Sequence, residues 1–336
     1  MIRSDGFALV LVLWVLSLLT IMAGSFALSM RREAGIVTGS SNNAQAAAIA
    51  ESGLAVAELM LMHPDPLQRW HTDGSIYQLD YADSKVRVRL LSEAGKVDLN
   101  SADQTLLQGL MVHAPVDEQL QTRLVNAILD WRDADDLMHI EGAEKEEYKD
   151  AGLNYGPRNK PFQSIEELQL VLGMNDPVFK WLENRVTVYS GQPQVDLTQA
   201  SQEVLQVLPG MDPELINEYI AARRESAING LPAPTVPVVG SNRVSGQTGE
   251  NAPAIAVAAG NGAAQQGVMA VIAEALLDDG TTAVINTVIK KSDSPPGASP
   301  FQVLKWQRNA AVDGSLFTDE TDELLVRQYA EPEFNH

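Results

Sequence analysis

Cysteine is absent from the 336 residues, which excludes a disulfide framework and thiolate metal sites and is compatible with an oxidising compartment. Cations are scarce: 24 Lys and Arg stand against 44 Asp and Glu, a formal charge of -20. Phosphate binding needs clustered Lys and Arg, so a general nucleic-acid surface is excluded and cations are the favoured partners. Five histidines are scattered with no ligand pair at helical spacing, and His63, His71, His113 and His139 read as surface or satisfied polar residues. No Gly-rich phosphate loop carries a Lys, Gly260-Asn261-Gly262 lacks a third glycine, and no Ser nucleophile elbow is present. No enzyme signature survives these absences.

What is present in quantity is one apolar run. Phe7 to Leu28 contains no charged residue, and at 1.5 Å rise per residue it reaches about 33 Å, enough to span a hydrocarbon core of about 30 Å. Only Met1 to Gly6 precede it. A secretory signal has a basic head, a short apolar middle and a cut after the apolar part; here the apolar part begins almost at once. An uncut anchor is one reading, and a leader removed between Gly6 and Phe7 is the other. Flanking charge does not fix orientation, because Arg3 lies before the run while Arg31 and Arg32 lie after it.

The remainder suits two or three domains. Ala44–Glu51 and Leu54–Met60 are strong helix formers, ended by Pro64 and Pro66, while Gly35, Gly39 and Ser40–Asn43 predict a frayed or bent middle. The small side chains of the Ala-rich stretch would let a sheet approach closely. Ile76–Tyr81 and Lys85–Leu91 alternate with period two, as half-exposed strands do, around a turn at Ala82-Asp83-Ser84. From Val97 the period becomes helical. Val97-Asp98-Leu99-Asn100-Ser101-Ala102 recurs as Val195-Asp196-Leu197-Thr198-Gln199-Ala200, and Asn100 or Thr198 reads as a helix N-cap. Sheet signals return in Val268–Leu277, Thr281–Ile289 and Phe301–Trp306; Leu324–Tyr329 is a last short helix or an edge strand.

The expected division is therefore a leader at 1–6, a membrane helix at 7–28, a stem helix at 29–63 and strands at 64–96. An inserted helical domain follows at 97–190, then a second helical unit at 191–230, a flexible linker or loop at 231–267, and sheet plus tail at 268–336. The fold class is α+β, a long helix on an antiparallel sheet with a helical insertion. The helical units resemble helix-hairpin-helix motifs. In the second unit, Pro209-Gly210-Met211-Asp212-Pro213 places an anion where a DNA phosphate would sit and a residue without an N–H beside it, which favours packing over DNA binding.

Carboxylates crowd between Asp130 and Asp150, among them Asp130, Asp133, Asp135, Asp136 and Glu144. They repel one another unless solvated or neutralised, and a hard cation with oxygen ligands would neutralise them. Asp133, Asp135 and Glu144 fall at places 1, 3 and 12 of an EF-hand count, but Leu137 and Met138 replace an oxygen ligand and the turn glycine. A solvated acidic face is the competing reading. Acid–base hydrolysis by paired carboxylates lacks a surrounding apolar pocket motif.

The Gly6/Phe7 junction resembles the leader of type IV pilins and type II secretion pseudopilins. Together with Asp130-Trp131-Arg132-Asp133-Ala134-Asp135, Gly142-Ala143-Glu144, Asn159-Lys160-Pro161-Phe162, Glu166-Glu167-Leu168 and the repeated Val-Asp-Leu segment, it makes the chain similar to the protein K family of type II secretion. That resemblance implies a minor pseudopilin of the bacterial inner membrane with its soluble part in the periplasm, cut by prepilin peptidase before Phe7 and methylated there. It implies a complex with minor pseudopilins I and J at the pseudopilus tip, contact with the major pseudopilin, a role in starting and limiting the filament, and possible contact with exported proteins. It also implies calcium, with Asp130, Asp133, Asp135, Asp136 and Glu144 as expected ligands. Most pilins carry Glu at the fifth mature place, where the amine of an earlier subunit relieves its charge in the membrane; here that place is Leu11, which suits a first subunit. A membrane-anchored helix-hairpin-helix DNA-binding protein of a DNA-uptake system is the alternative.

Overall fold

A computed structural model describes residues 5–229, 231, 233–236, 267–292, 299–308 and 314–329. Most of the expected leader, most of the 231–267 segment and the end of the tail lie outside these residues.

Helix α1 runs from Asp5 to Leu61, about 85 Å at 1.5 Å per residue. It passes through Gly35–Asn43 without a break, where the sequence predicts a bend. Propagating a helix fixes one residue per hydrogen bond gained, so good helix formers on both sides carry a weak stretch that could not nucleate alone. Ala46, Ala50, Gly53, Leu54 and Ala57 form its buried stripe. A Cβ on Gly53 would stand 2.5 Å from Val86 Cγ1 and 3.1 Å from Val88 Cγ2, so the absent side chain sets how closely helix and sheet approach.

Strands β1 (Asp73–Tyr81) and β2 (Ser84–Ser92) form a hairpin. The chain then leaves the sheet through helices α2 (Gln104–Met111), α3 (Glu118–Arg132), α4 (Lys145–Asp150), α5 (Asp176–Glu183), α6 (Gln202–Leu205) and α7 (Pro213–Ile228). A two-residue parallel pair, β3 (Val97–Asp98) with β4 (Val186–Thr187), ties the start of this helical region to its middle. Strands β5 (Val268–Leu277), β6 (Thr282–Lys291) and β7 (Phe301–Arg308) follow, then a short α8 (Asp319–Asp322) and β8 (Leu325–Tyr329). The sheet order is β7-β6-β5-β2-β1-β8. All pairs are antiparallel except β1 with β8, which makes the last segment a parallel edge strand rather than a helix.

Strands β2 and β5 are direct neighbours in continuous register from Ser84↔Leu277 to Ser92↔Met269, so the helical region is interposed between two strands that are neighbours in the sheet. Its position along the rod follows from two contacts. At one end of the sheet, Asn42 Nδ2 on α1 donates to Asp279 in the β5–β6 turn. At the other end, Trp70 N–H reaches Met60 O near the end of α1, and Ser92 N–H reaches Thr72 O. The helical region therefore hangs from the end of the sheet remote from the apolar run.

Strands β1 and β2 are not half exposed, as their alternation predicts. Arg87 and Gln78 are buried on the face opposite α1 because the segment before α8 covers it. Arg87 Nε donates to Gln78 Oε1 at 2.8 Å and its Nη1 to Leu316 O at 2.7 Å, while Glu274 accepts from Ser315 Oγ at 2.7 Å and from Leu316 N–H. Alternation reports which side chains are polar, but a polar face can also be buried if each group finds a partner.

The sequence repeat is a structural repeat. Asp98 Oδ1 accepts from the amides of Asn100 and Ser101, and Asp196 Oδ1 accepts from the amide and hydroxyl of Thr198. An arginine from the following long helix caps the carbonyls of each copy: Arg132 bonds Leu99 O and Ala102 O, and Arg223 bonds Thr198 O and Ala200 O. Arg223 also reaches Asp73 O at 2.7 Å and Asp73 Oδ2 at 3.3 Å, joining the second helical unit to the sheet. The N-caps are Asp103 and Ser201, not Asn100 and Thr198. Asn100 instead exchanges two bonds with the Phe162 backbone, a partner 62 residues away that no local pattern announces.

Candidate metal centre and exposed anchor helix

The last turn of α3 carries Asp130, which is wholly buried. Its Oδ1 accepts from His139 N–H at 3.0 Å and faces His139 Nδ1 at 2.5 Å, and its Oδ2 accepts from Ala143 N–H at 2.6 Å. This carboxylate clasps the loop between α3 and α4. Gly142 makes the clasp possible, because a Cβ there would lie 1.9 Å from Asp130 Oδ2. Glu141 takes a left-handed φ of 62° just before it, a conformation that costs a non-glycine residue about 1–2 kcal/mol.

Behind the clasp, several oxygens are buried with no hydrogen-bond partner: Asp133 Oδ1, both carboxylate oxygens of Glu144, and Asn159 Oδ1. Glu144 is only 7% exposed. Asn159, itself at φ 52°, uses its amide nitrogen on Asp135 O at 2.9 Å and Asp136 Oδ1 at 2.8 Å, which leaves its oxygen unspent. Asp135 Oδ1 accepts from Leu137 N–H at 2.9 Å. Asp130, Asp133 and His139 bring one ligand atom each within 4.8 Å of one another. A cavity of about 430 Å3 opens beside them, lined in part by Asp136, Glu144, Asn159, Lys145 and Tyr155.

The electrostatics match the geometry. Burial, and then the charges of Asp130, Asp133, Asp136 and Asp135, push the Glu144 carboxyl up to about 7. Burial, and then Asp135 and Asp130, also raise Asp133, against the opposing pull of His139 and Arg132. Buried carboxylates without donors are costly unless paired, protonated or bound to a metal. The atoms left without a partner are carboxylate and amide oxygens, a set that fits a hard divalent cation such as calcium, whereas the imidazole of His139 is engaged with Asp130. All five acids singled out from the sequence gather here, but their roles differ: Asp130 is saturated by backbone donors, whereas Asp133 and Glu144 are not. Asn159 escaped sequence reading as a candidate because it lies 15 residues beyond Glu144; its place in Asn159-Lys160-Pro161-Phe162, one of the segments that carry the resemblance, was the available signal.

At the other end, α1 is solvent-facing throughout the described part of the apolar run, with Leu11 and Trp14 exposed. Ser17 Oγ and Thr20 Oγ1 donate to Leu13 O and Leu16 O, each at 2.8 Å, so these two hydroxyls are satisfied within the helix as lipid requires. Among the described residues this is the one helix long and apolar enough to cross a membrane. In the second hairpin-like turn, Gly210 adopts φ 79° and Asp212 caps α7 by accepting from Glu214 N–H at 2.9 Å. The acid thus occupies the amide that a phosphate would need.

Residues 84–191, from β2 to just past β4 and including the whole acidic loop, match the family model of type II secretion system (T2SS), protein K. A chain in the crystal structure of the GspK-GspI-GspJ complex from the enterotoxigenic Escherichia coli type 2 secretion system is similar at 15% identity. That match covers 83% of this chain and 98% of the other, with a TM-score of 0.47. A search of curated proteins gives no match.

Proposed function

We propose that this chain, whose residues 84–191 match the protein K model of the type II secretion system, is a minor pseudopilin of that system that sits at the tip of the pseudopilus with minor pseudopilins I and J, starts assembly and limits filament length. The observation that carries this reading is the single rod: an exposed apolar helix continuous with a stem that packs on the sheet. The role is structural rather than catalytic. Prepilin peptidase cuts between Gly6 and Phe7, the Phe7 amine is methylated, and the apolar run holds the protein in the inner membrane with its soluble part in the periplasm. Leu11, exposed on α1, brings no charge into the membrane and so needs no predecessor's amine, whereas the major pseudopilin adds behind it. The helical region at the far end of the sheet gives the tip a width that a lone pilin sheet lacks.

Calcium completes this reading. Asp133, Glu144 and Asn159 supply the unpartnered oxygens, Asp135 and Asp136 stand beside them, and Asp130 holds the loop in place. The ion supplies charge neutralisation in the loop; the residues supply a fixed set of oxygens.

Co-purification of the full chain with I and J tests the assembly, and intact-mass measurement tests processing. A working protein that retains residues 1–6, or one that never joins its sister subunits, removes the proposal. Introducing Leu11→Glu is expected to make its entry into the filament depend on an earlier subunit.

A further inference from the structure

The loop between α3 and α4 turns an apolar tip into solvent. Leu137 is 75% exposed, Met138 51% and Ile140 88%, and none of the three belongs to an apolar cluster. The tip is nevertheless fixed. Leu137 N–H is held by Asp135, His139 N–H by Asp130, and Ile140 O accepts from Asn126 Nδ2 at 2.8 Å. Asn126 and Asp130 are buried residues of α3, so the tip is fastened to the core of the helical region. Apolar side chains presented on an ordered backbone lose little further entropy on docking, which is the physical form of a binding anchor.

Charge decides what the anchor fits. Within the loop, Asp133, Asp135, Asp136 and Glu141 flank the tip against Arg132 alone, with Asp135, Asp136 and Glu141 exposed, and this edge stays anionic after one divalent cation is taken up. Anionic lipid is repelled by such an edge, and so is a second copy of the same loop. The complement is a protein face with an apolar recess edged by Lys or Arg. Position narrows the source: the tip belongs to the region at the sheet end remote from the Asn42–Asp279 contact and so from the apolar run of α1, which in the assembly proposed above turns it toward whatever lies ahead of the filament.

We propose that Leu137, Met138 and Ile140 dock a folded exported protein through a recess of that kind. The inference rests on the secretion reading above and adds to it the site and the chemistry of the contact.

The test uses the full chain in complex with I and J, passed over proteins collected from the medium of secreting cells and coupled to a resin, at about 0.15 M ionic strength. Ile140→Ser and Leu137→Ser should each lower retention about tenfold, the size of an anchor loss, with melting temperature and co-purification unchanged. Ile140→Val should retain the parent's binding, and acetylating the lysines of the immobilised proteins should weaken binding of the parent. Undiminished retention of both Ser variants overturns the proposal. So does capture of the parent by phosphatidylglycerol vesicles that the Ser variants lose, which would make the tip a membrane contact, and so does loss of I and J from the variants, which would make it a subunit contact. A parent chain that fails to join I and J defeats the secretion reading itself; a complex that assembles and ignores the tip substitutions defeats this inference alone.

Discussion

The stem–sheet contact and the acidic cluster at the base of the α3–α4 loop both bury side chains, and they are built on opposite principles. Where α1 meets the sheet, Ala46, Ala50, Gly53 and Ala57 bring apolar surfaces together, at Gly53 so closely that even a Cβ would collide. In the loop, Asp130, Asp133 and Glu144 are brought together although they repel, and several of their oxygens lack a donor. The first contact is complete within the chain. The second leaves oxygens without partners among the described residues, so ions and pH should move the loop and leave the stem contact untouched.

The largest effect is expected at the complete contact. Gly53→Leu forces a side chain into Val86 and should cost about 3 kcal/mol or more, read as a lower urea midpoint for the soluble part; an unchanged midpoint would show that the helix does not lie this close. Next comes calcium. At about a hundred times its dissociation constant an ion bound only by the folded state adds about 2.7 kcal/mol, so melting temperature should rise on titration and stay flat in Asp133→Ala with Asp135→Ala. A rise of equal size in that double variant would return the cluster to a solvated face. Asp130→Ala should cost about 2 kcal/mol even without the ion, since it strips the acceptor from His139 and Ala143 N–H groups; thermal unfolding in chelator checks it.

The smallest effect is a slope. Glu144 has a folded-state value raised from 4.5 to about 7, so between those values the folded chain binds more protons than the unfolded one. Stability of the calcium-free protein should therefore be fully helped by this group below about 4.5 and should fall as pH rises to about 7. Glu144→Gln should flatten that part of the profile, and calcium affinity should rise over the same interval as the ion displaces the proton. A calcium-free profile that climbs through this window in the parent and not in Glu144→Gln would reverse the assignment.

Much of this architecture is legible in the residues because its signals are local. The apolar run, the Ala-rich stripe, the strands at 268–277 and 301–308 and the repeated Val-Asp-Leu turn each depend on spacing within a few residues. The acidic loop is legible as a concentration of charge, but its division of labour is not. Asp130 and Asp133 are three residues apart and chemically identical, yet one is saturated by backbone amides and the other is not. That difference comes from the path of the loop, where Gly142 leaves room for Asp130 to meet the amides of His139 and Ala143. The expected bend in α1 and the expected N-caps at Asn100 and Thr198 failed for a related reason: propensity weighs a residue against its neighbours, while the continuous helix and the Phe162 backbone settle the outcome.

Periodicity and composition by themselves determined that this protein has a membrane-length apolar rod, a half-apolar stem, two helical copies and a surplus of carboxylates. Tertiary structure alone decided that β2 and β5 are neighbours across the whole helical insertion, that a polar sheet face is buried by the segment before α8, and which oxygens of the loop are left without donors. Side-chain pattern fixes what a segment can bury, whereas strand pairing and the satisfaction of buried polar groups depend on partners far along the chain, and those exist only once the chain has closed on itself.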